Sequence, residues 1–594
     1  MKKALNHWVT RGLILALLFL PLVFKAWYVD QYIARYTGQH LIGAREVLFH
    51  DALFYGAMAG FFYLSAINLA PPMVRLLFRA VSLVLLTLYI SDLVVFLEFN
   101  MRLSVEDAMK YAWYTKKYLL QAFSDDLFFL LWTIASLGIV IVMFLFTRIP
   151  LDNRRANYSA SILLVLLFVS SAFADAKPYV HAWTYQNLLE YNRMILSEST
   201  PYSKDTVAQF SRTTSSCKKG PQRNPNVIVL LIESLSSYHS KLFSGIHDWT
   251  PNLDRIAREN LYFSNFFANG FITEDGKIAF MTGELPLYPP SSFSEGGGTA
   301  FKGYYKLENP LATRFRKHGY LSEFLTTADL DFSNTGYWVK HSANFDYAEG
   351  HTHPSYNEWP RFQFNAAPDK ALYQRVLQRV EAHQKNHKRY FLNVLTVSTH
   401  HPFTDPETGD RSEQMAFSYA DRELGIFYDE LKSRNFFENG ILIISGDHRA
   451  MTPVQQSEIE RFGPYGAAAR VPLVIVGDSA EPVVVTENFQ QTDVAGSLEN
   501  LINGEICVSD WNGHLLGSER TPPKFILHRR GDARNLVSVF SADTDYLVYL
   551  DGDNTRVVRP ETISAATQKE ILDEINAIRI YRSNPAFRKP RNPG

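Results

Sequence analysis

The chain has 594 residues, which is too long for one ordinary domain. Hydrophobic residues make up 46% of it and the formal net charge is -1, so no overall field favours nucleic acid or another strongly charged partner. The two cysteines, Cys217 and Cys507, lack metal-ligand spacing. They form one disulfide if this part of the chain is exported, and unpaired thiols are the alternative.

Five long apolar segments in the first 176 residues predict a multi-pass membrane region. A helix that crosses a bilayer needs about 20 apolar residues. The segments lie near residues 12–28, 47–69, 76–97, 127–146 and 158–174. The first is not a secretory signal, because further spans follow it and no small-residue cleavage site is apparent. We therefore expect residues 1–176 to form a five-helix transmembrane bundle.

Basic residues predict the orientation of this bundle. They cluster before the first span and after the second and fourth spans, at Lys2, Lys3, Arg11, Arg75, Arg79, Arg148, Arg154 and Arg155. Loops rich in Lys and Arg stay on the cytoplasmic side of a membrane. After an odd number of spans, the rest of the chain is expected outside the cytoplasm.

The remainder of the chain has the pattern of a water-exposed protein. Residues 177–224 are expected to be a linker, since a helical aromatic piece gives way to Ser-, Thr- and Lys-rich sequence. From residue 225 onward strand and helix patterns alternate, with buried strands predicted at residues 226–232, 390–397, 440–445 and 471–476. This alternation predicts an α/β domain over residues 225–522, with a mostly parallel sheet between helices.

The last part of the chain, residues 523–594, has a different pattern. Short strands are predicted at residues 524–529, 536–540, 545–549 and 556–559, followed by a helix near residues 564–581 and a basic tail. We expect a small C-terminal antiparallel β subdomain.

Polar side chains follow three of the predicted strands of the α/β domain. Glu233 comes after the first strand, His400 and His401 follow the second, and Asp447 and His448 follow the third. Ligands of an open α/β sheet bind beyond the carboxyl ends of its strands. Loops are usually polar, which explains polar residues after any one strand. Polar residues after three strands together predict a site at this edge of the sheet.

The stretch of residues 271–283 supplies a candidate nucleophile. Thr273 precedes Gly276, Lys277 and an apolar helical run. A helix N-terminus offers unpaired N–H groups, glycine permits close approach of an anion, and lysine adds a positive charge. These features suit a hydroxyl that faces a phosphate, and an ordinary helix cap is the alternative.

Three of these residues form a candidate metal site. Glu233, Asp447 and His448 offer two oxygen ligands and one imidazole, a set that suits a divalent ion. Thr273 would add its hydroxyl, whose pKa falls on coordination. We expect one ion, Mn2+ or Mg2+, with Zn2+ as a further option.

These motifs resemble the alkaline phosphatase/sulfatase superfamily, and within it the lipoteichoic acid synthase-like branch of membrane phosphoglycerol transferases. The matching stretches are residues 226–234, 250–254, 273–277, 399–403 and 445–448. Membrane spans followed by an extracytoplasmic domain also fit this branch. The resemblance implies a sulfatase-like fold, a bacterial cytoplasmic (inner) membrane protein and a periplasmic catalytic domain.

The resemblance also implies roles for individual residues. Thr273 becomes the nucleophile and a metal ligand, together with the ligands Glu233, Asp447 and His448. His400 would contact the transferred phosphate or the departing oxygen, with Lys277 beside the nucleophile.

The substrate-binding residues are less directly matched. The sequence around His400 departs from the family motif, so His401 is the alternative imidazole. A tryptophan and an arginine hold glycerol phosphate in the family. Trp338 and Lys340 are the candidates for them here, although the spacing does not align cleanly, and a packed aromatic is the alternative for Trp338. Asp510 and His514 have the spacing of a second metal set, but we interpret them as a packing segment.

The identity of residue 273 separates two chemistries within the superfamily. Sulfatases need a cysteine or serine there, because that residue is oxidised to an aldehyde. Thr273 cannot give this aldehyde, so phosphoryl transfer is expected. The predicted function is transfer of glycerol phosphate from phosphatidylglycerol to a glycan or glycerol acceptor through a phosphothreonine-type intermediate. The alternatives are a phosphoethanolamine transferase acting on lipid A or an envelope glycan, and an inactive membrane-tethered scaffold.

Overall fold

The computed structural model describes residues 2–66, 71–105, 182–197, 202–203, 214–288, 301, 303–478, 481–531, 535–542, 544–558 and 563–583. The chain divides into two compact units, Met1–Ser197 and Glu198–Gly594.

The first unit is helical in all the regular structure that is described. Its helices, α1 to α5, are Lys2–Thr37, Ile42–Ala66, Pro72–Phe99, Ala182–Tyr185 and Leu188–Ser197. Within the described residues, the segment Pro72–Leu97 of α3 is the one long and apolar enough to cross a membrane. The predicted spans at residues 127–146 and 158–174 lie outside the described residues. The five-helix bundle therefore stays a prediction.

Buried polar contacts join the helices of this unit. The ammonium of Lys25 on α1 lies 2.9 Å from a carboxylate oxygen of Asp51 on α2. His50 Nδ1 on α2 lies 2.9 Å from Glu190 Oε2 on α5. A buried charge is costly without a partner, so each pair depends on the packing of both helices. These contacts place α5 in the N-terminal unit.

The second unit contains all the described strands. In chain order, β1 to β16 are Ser216–Lys219, Asn226–Ile232, Leu261–Phe263, Phe266–Phe267, Tyr320–Thr326, Tyr347–Glu349, Arg389–Leu395, Gly440–Gly446, Leu473–Val476, Val483–Val485, Phe489–Gln490, Glu505–Val508, Ile526–Arg529, Leu536–Phe540, Asp545–Tyr549 and Arg556–Val557. Its helices, α6 to α14, are Pro251–Glu259, Thr273–Thr282, Leu311–Lys317, Thr335–Tyr337, Asp369–Lys385, Glu413–Ser433, Gln456–Gly466, Gln491–Asn503 and Ala565–Arg582.

Eight strands form the central sheet, in the order β10-β3-β9-β8-β2-β7-β5-β6. The five strands from β8 to β6 are parallel to their neighbours in that order. In contrast, β9 is antiparallel to both β8 and β3. The sheet is therefore mixed, with β9 running against the other seven strands. The expectation of a mostly parallel sheet is confirmed, with β9 as the exception. An apolar run such as β9 indicates burial on both faces, but it does not specify the direction of the strand.

Helices cover both faces of this sheet. Alternate residues of β2 face opposite sides, because successive side chains of a strand point in opposite directions. Val227 and Val229 join a buried cluster with side chains of α7, α8 and α13. Ile228 and Leu230 join a second buried cluster with side chains of α6, α10 and α11. This three-layer arrangement explains why β2 is an unbroken apolar run.

Among the described residues, three smaller sheets lie outside the central one, and the shortest of them pairs β11 with β4. Strands β13 to β16 form an antiparallel meander, and α14 packs against it through Ile571 and Ile575. Strand β1, in the segment expected to be a linker, pairs with β12 instead. In that pair Cys217 lies directly opposite Cys507, and the two are joined by a disulfide.

Candidate active site

The candidate site lies at the carboxyl ends of two adjacent parallel strands. The last residues of β2 and β8, Ile232 and Gly446, are directly paired. The residues that follow them, Glu233 on one strand and Asp447 on the other, therefore emerge side by side. Thr273 is the first residue of α7, whose buried side packs on this sheet.

Four side chains converge at this point. Glu233, Asp447 and His448 each offer a ligand atom, and these atoms all lie within 4.8 Å of one another. The hydroxyl of Thr273 donates to Glu233 Oε2 at 3.3 Å and lies 3.3 Å from His448 Nε2. The predicted set of metal ligands is thus brought together. The hydroxyl of Thr273 faces ionisable groups, which an ordinary cap would not do.

Backbone N–H groups orient Asp447. Its Oδ1 accepts hydrogen bonds from the backbone of Ser234 at 2.8 Å and of His448 at 2.9 Å. Its Oδ2 is buried and has no hydrogen-bond partner in the described part of the chain. A buried carboxylate oxygen without a donor is costly, and a cation would satisfy it.

A buried ion pair supports His448. The Nδ1–H of His448 donates to the carbonyl oxygen of Arg449 at 2.8 Å, which directs Nε2 towards Glu233 and Asp447. The guanidinium of Arg449 is buried and pairs with Glu458 at 2.7 Å. Metal-binding histidines commonly have their second nitrogen fixed by such a hydrogen bond.

The ionisation of the cluster follows from its burial and its charges. Burial raises the pKa of Asp447, and the negative charge of Glu233 raises it further. Burial opposes the charged form of His448, but Asp447 and Glu233 outweigh this effect and raise its pKa to about 10. Two carboxylates crowded in a buried site thus hold a positive charge between them. A divalent cation would take the place of the imidazolium proton.

The donor set fits a divalent metal ion on these observations. Two carboxylates, one imidazole nitrogen and one hydroxyl face a common point, and one carboxylate oxygen has no hydrogen bond among the described residues. Mixed oxygen and nitrogen donors suit Mn2+ and Zn2+, and oxygen donors suit Mg2+. The choice between these ions stays a prediction.

Two glycines permit the close approach of the segments that carry the ligands. A Cβ on Gly276 would lie 2.4 Å from the carbonyl oxygen of Asp447, and one on Gly446 would lie 1.9 Å from the carbonyl oxygen of Leu235. Distances below 3.0 Å require a shift of the neighbouring backbone. Gly276 is therefore explained by the contact between α7 and the Asp447 loop.

Lys277 lies on α7, one turn after Thr273, and is buried. Its ammonium donates to Thr335 Oγ1 at 3.1 Å and lies 5.5 Å from the centre of the Phe301 ring. These contacts hold the side chain towards the segment that contains α9. A role beside the nucleophile stays a prediction.

His400 and His401 lie on the loop after β7 and are half-buried. The Nδ1–H of His400 donates to the carbonyl oxygen of His401 at 2.6 Å, and its ring meets Phe364 edge-on at 4.6 Å between centres. Burial opposes the ionised form of Glu233, but the hydrogen bond and charge of His448 lower its pKa, and His400 adds a smaller effect in the same direction. The ring of His401 packs against Phe403. Which imidazole contacts substrate stays a prediction.

Trp338 and Lys340 lie in different surroundings. Trp338 is fully buried, stacks on Phe301 at 4.3 Å between ring centres, and donates its indole N–H to the carbonyl oxygen of Tyr304 at 2.9 Å. These contacts are those expected if Trp338 is a packed aromatic side chain, the alternative to a substrate-binding role. Lys340 is exposed. Substrate binding by either residue stays a prediction.

Sequence reasoning missed several residues that hold the ligands in place. Ser234 has a φ of 59°, a strained value for a residue other than glycine, and its hydroxyl donates to Glu233 Oε1 at 2.9 Å. Thr399 donates to the carbonyl oxygen of Glu233 at 2.5 Å. Gln491 Nε2 donates to the carbonyl oxygen of Asp447 at 2.8 Å. Ser234 and Thr399 had a signal in the sequence, because they adjoin Glu233 and His400 in the matching stretches, and Gln491 had none.

His514, the histidine of the Asp510 and His514 spacing, has a packing role. His514 is buried and its Nδ1 lies 3.2 Å from the side-chain amide of Asn500. In the parts of the chain that the structure describes, the cluster of Glu233, Asp447 and His448 is the one group of three that could hold a metal.

Comparison with known proteins agrees with this geometry. The sulfatase family model matches residues 225–504. These residues form a sulfatase-family domain. The resemblance to the alkaline phosphatase/sulfatase superfamily is therefore confirmed.

Relatives of the sulfatase-family domain include two enzymes of known name. Phosphoglycerol transferase I of Citrobacter koseri is 24% identical over 317 residues, which are 50% of this chain and 38% of the relative. Lipoteichoic acid synthase 1 of Bacillus subtilis is 26% identical over 304 residues, which are 46% of each chain. The chain thus spans less than half the length of these two relatives.

Solved structures also match. A protein of the alkaline phosphatase superfamily from Vibrio parahaemolyticus is 19% identical, with a TM-score of 0.49, and covers 66% of this chain and 94% of its own.

Proposed function

We propose that this protein is a membrane phosphoglycerol transferase. It would move glycerol phosphate from phosphatidylglycerol to a hydroxyl of a glycan or glycerol acceptor. The observation that carries the proposal is the position of the Thr273 hydroxyl, 3.3 Å from both Glu233 and His448. The names of the two relatives, a phosphoglycerol transferase and a lipoteichoic acid synthase, support the choice of transferred group.

The side chain at position 273 supports phosphoryl chemistry. A threonine hydroxyl is a poor nucleophile at neutral pH and needs activation by a neighbouring base or metal. Glu233 accepts the hydroxyl hydrogen in this structure. The arrangement fits direct attack by Thr273 Oγ1 on phosphorus, with no oxidised aldehyde.

The first half-reaction would proceed by displacement at phosphorus. A bond forms between Thr273 Oγ1 and phosphorus, and the bond from phosphorus to the diacylglycerol oxygen breaks. The threonine proton leaves through Glu233, and the departing oxygen takes a proton, for which His400 is the candidate donor. In the second half-reaction a bond forms between the acceptor oxygen and phosphorus, and the bond from phosphorus to Thr273 Oγ1 breaks. The acceptor proton passes to His400, and Thr273 Oγ1 takes back the proton held by Glu233.

The chain's own residues hold this reaction in place. Glu233, Asp447, His448 and Thr273 would hold the divalent ion. When bound, that ion lowers the pKa of the threonine hydroxyl and polarises the phosphoryl oxygen. Helix α7 begins at Thr273, and a helix N-terminus favours an anion.

An apolar segment and a disulfide support a lipid donor and a location outside the cytoplasm. The apolar segment Pro72–Leu97 of α3 is long enough to cross a bilayer. The disulfide between Cys217 and Cys507 suits an oxidising compartment, such as the bacterial periplasm. We propose a multi-pass protein of the cytoplasmic membrane with a periplasmic catalytic domain.

Diacylglycerol release tests the proposal. The full-length protein in detergent, supplied with Mn2+, should release diacylglycerol from mixed micelles that contain phosphatidylglycerol. Micelles with phosphatidylethanolamine serve as the matched alternative donor. Release from phosphatidylethanolamine alone would contradict the proposed donor and favour the phosphoethanolamine transferase. Mn2+ binding without release from either donor would contradict the transferase assignment.

A further inference from the structure

The turn before Thr273 is attached to the C-terminal meander, far along the chain. The backbone N–H of Arg529, the last residue of β13, donates to the carbonyl oxygen of Asn269 at 2.8 Å. The side chain of the preceding residue, His528, donates from Nδ1 to the carbonyl oxygen of Ala268 at 2.8 Å. The segment leading to the nucleophile therefore lies against the edge of this small sheet.

Asp275 closes the same turn from within α7. It lies two residues after Thr273, and its side chain is fully buried. Its Oδ2 accepts from the backbone N–H of Phe271 at 3.0 Å and of Ile272 at 3.5 Å. The Asp275 carboxylate thus binds the two residues that precede Thr273, although Asp275 itself follows Thr273 in the chain.

Arg529 is the cationic partner of this carboxylate. Its Nη1 lies 3.0 Å from Asp275 Oδ2 and 3.3 Å from Oδ1. Tyr288 donates its hydroxyl to Oδ1, and the guanidinium of Arg529 stacks over the Tyr288 ring at 4.0 Å from its centre. A buried carboxylate is costly without such a partner, so this contact determines whether the turn is stable.

The packing around the turn leaves little room for another conformation. A Cβ on Gly270 would lie 2.2 Å from the Cβ of Asp275, and a Cβ on Gly531 would lie 1.9 Å from the ring of Phe271. Both distances are below any real contact of a Cβ atom. The turn is therefore confined by α7 on one side and by the end of β13 on the other.

We propose that Arg529 is a positioning residue for the nucleophile. Acting through Asp275, it holds the turn of residues 269–275 so that the Thr273 hydroxyl stays directed at Glu233 and His448. The inference rests on the proposed function in that Thr273 is taken as the nucleophile. A small misplacement of a reacting group is enough to slow a reaction about 100-fold.

Arg529→Gln and Arg529→Lys form the test, with Arg556→Gln as the matched control. Arg556 lies in the same sheet and stacks over Tyr549 at 4.6 Å, but it is exposed. We expect Arg529→Gln to lower kcat for diacylglycerol release about 10- to 100-fold, with little change in KM. Arg529→Lys should recover part of the loss, because lysine keeps the charge but not the fork geometry. Arg556→Gln should match the wild type.

Hydrogen exchange supplies a readout that does not depend on the donor. The amides of residues 269–276 should exchange faster in Arg529→Gln than in the wild type, and those of β2 and β8 should not. Mn2+ affinity should fall no further than in Thr273→Ala, because Glu233, Asp447 and His448 lie on other loops and keep their positions.

Two outcomes would overturn the inference. One is wild-type kcat together with wild-type exchange in Arg529→Gln. The other is faster exchange in all strands of Arg529→Gln, together with a loss of kcat that Arg529→Lys does not recover. That result would indicate a general stabilising role. If the wild type itself releases no diacylglycerol, the proposed function fails, and the exchange of residues 269–276 decides the positioning inference by itself.

Discussion

At the scale of single residues, Thr273 has surroundings that a structural threonine does not need. Its hydroxyl lies between Glu233 and His448, both of which are buried. Buried ionisable groups are costly unless paired, and they concentrate at functional sites. The cluster therefore supports a chemical role for the hydroxyl.

Replacement of Thr273 separates its role as nucleophile from its role as ligand. Thr273→Ala should reduce diacylglycerol release about 1,000-fold or more, because no other hydroxyl can form the covalent bond. Mn2+ binding, measured by titration calorimetry, should weaken but persist through the other three ligands. Thr273→Ser should keep part of the activity. Wild-type release by Thr273→Ala would rule out the proposed nucleophile.

His239, a histidine that is not among the proposed site residues, has a buried neutral ring. The backbone N–H of Ser236 donates to its Nδ1 at 3.1 Å, and its Nε2–H donates to Glu413 at 3.1 Å. The ring stacks on Phe417 at 3.6 Å between centres. Burial lowers the pKa of His239 to about 4, although Glu413 opposes the shift.

The depressed pKa of His239 makes folding stability depend on pH. Below about pH 6.5 the unfolded chain binds a proton at this position that the folded chain does not. The folding stability therefore decreases as the pH is lowered. Between pH 7 and pH 5 this group removes about 2 kcal/mol. The difference in unfolding free energy between wild type and His239→Phe should shrink by that amount in urea titrations. A difference that stays constant or grows towards pH 5 would show that His239 is protonated in the folded state.

At the scale of secondary-structure elements, α7 must approach the loop after β8 closely. Gly276 allows this, since a Cβ would lie 2.4 Å from the carbonyl oxygen of Asp447. Helices are normally weakened by an internal glycine. Its presence in α7 is therefore explained by the site and not by the helix.

Gly276→Ala should displace Asp447 and weaken metal binding. We expect Mn2+ affinity to fall about 10- to 100-fold, as it does when residues that support a metal ligand are changed. Gly496→Ala in α13 is the matched control, since a Cβ there would meet no atom of the described residues within 4 Å. The control should bind Mn2+ normally and be stabilised by about 0.5–1 kcal/mol. Equal Mn2+ affinity in the two variants would contradict the proposed contact.

Some elements could be predicted from sequence, and others could not. Strands β2 and β8 are unbroken apolar runs with polar ends, so their position and the ligands Glu233 and Asp447 were predictable. Strand β5 was missed, because it includes Ser322 and Glu323, whose polarity is satisfied by partners distant in sequence. Trp338 was ambiguous for a related reason, since composition does not distinguish a buried indole from an exposed one.

At the scale of the whole molecule, the disulfide connects distant parts of the second unit. Cys217 and Cys507 are 290 residues apart and join β1 to β12. A crosslink over a long loop stabilises mainly by restricting the unfolded chain. The sequence left this pairing open, because the proximity of the two residues depends on the fold of all the intervening chain.

Replacing both cysteines by serine should destabilise the catalytic unit without altering its chemistry. We expect a loss of about 3 kcal/mol, observed as a lower midpoint of thermal unfolding. Metal affinity at low temperature should stay unchanged, since neither cysteine contacts the site. An unchanged midpoint, or the same midpoint with and without reductant in the wild type, would indicate that the disulfide is absent from the purified protein.

The central claim is that Thr273 carries the transferred group, and peptide mass spectrometry tests it directly. The full-length protein is incubated briefly with phosphatidylglycerol micelles and Mn2+, in the absence of an acceptor, and then digested. We predict that the peptide containing Thr273 gains the mass of one glycerophosphoryl group, and that the Thr273→Ala peptide does not. Diacylglycerol release with no adduct on Thr273, or with an adduct on another residue, would contradict the account.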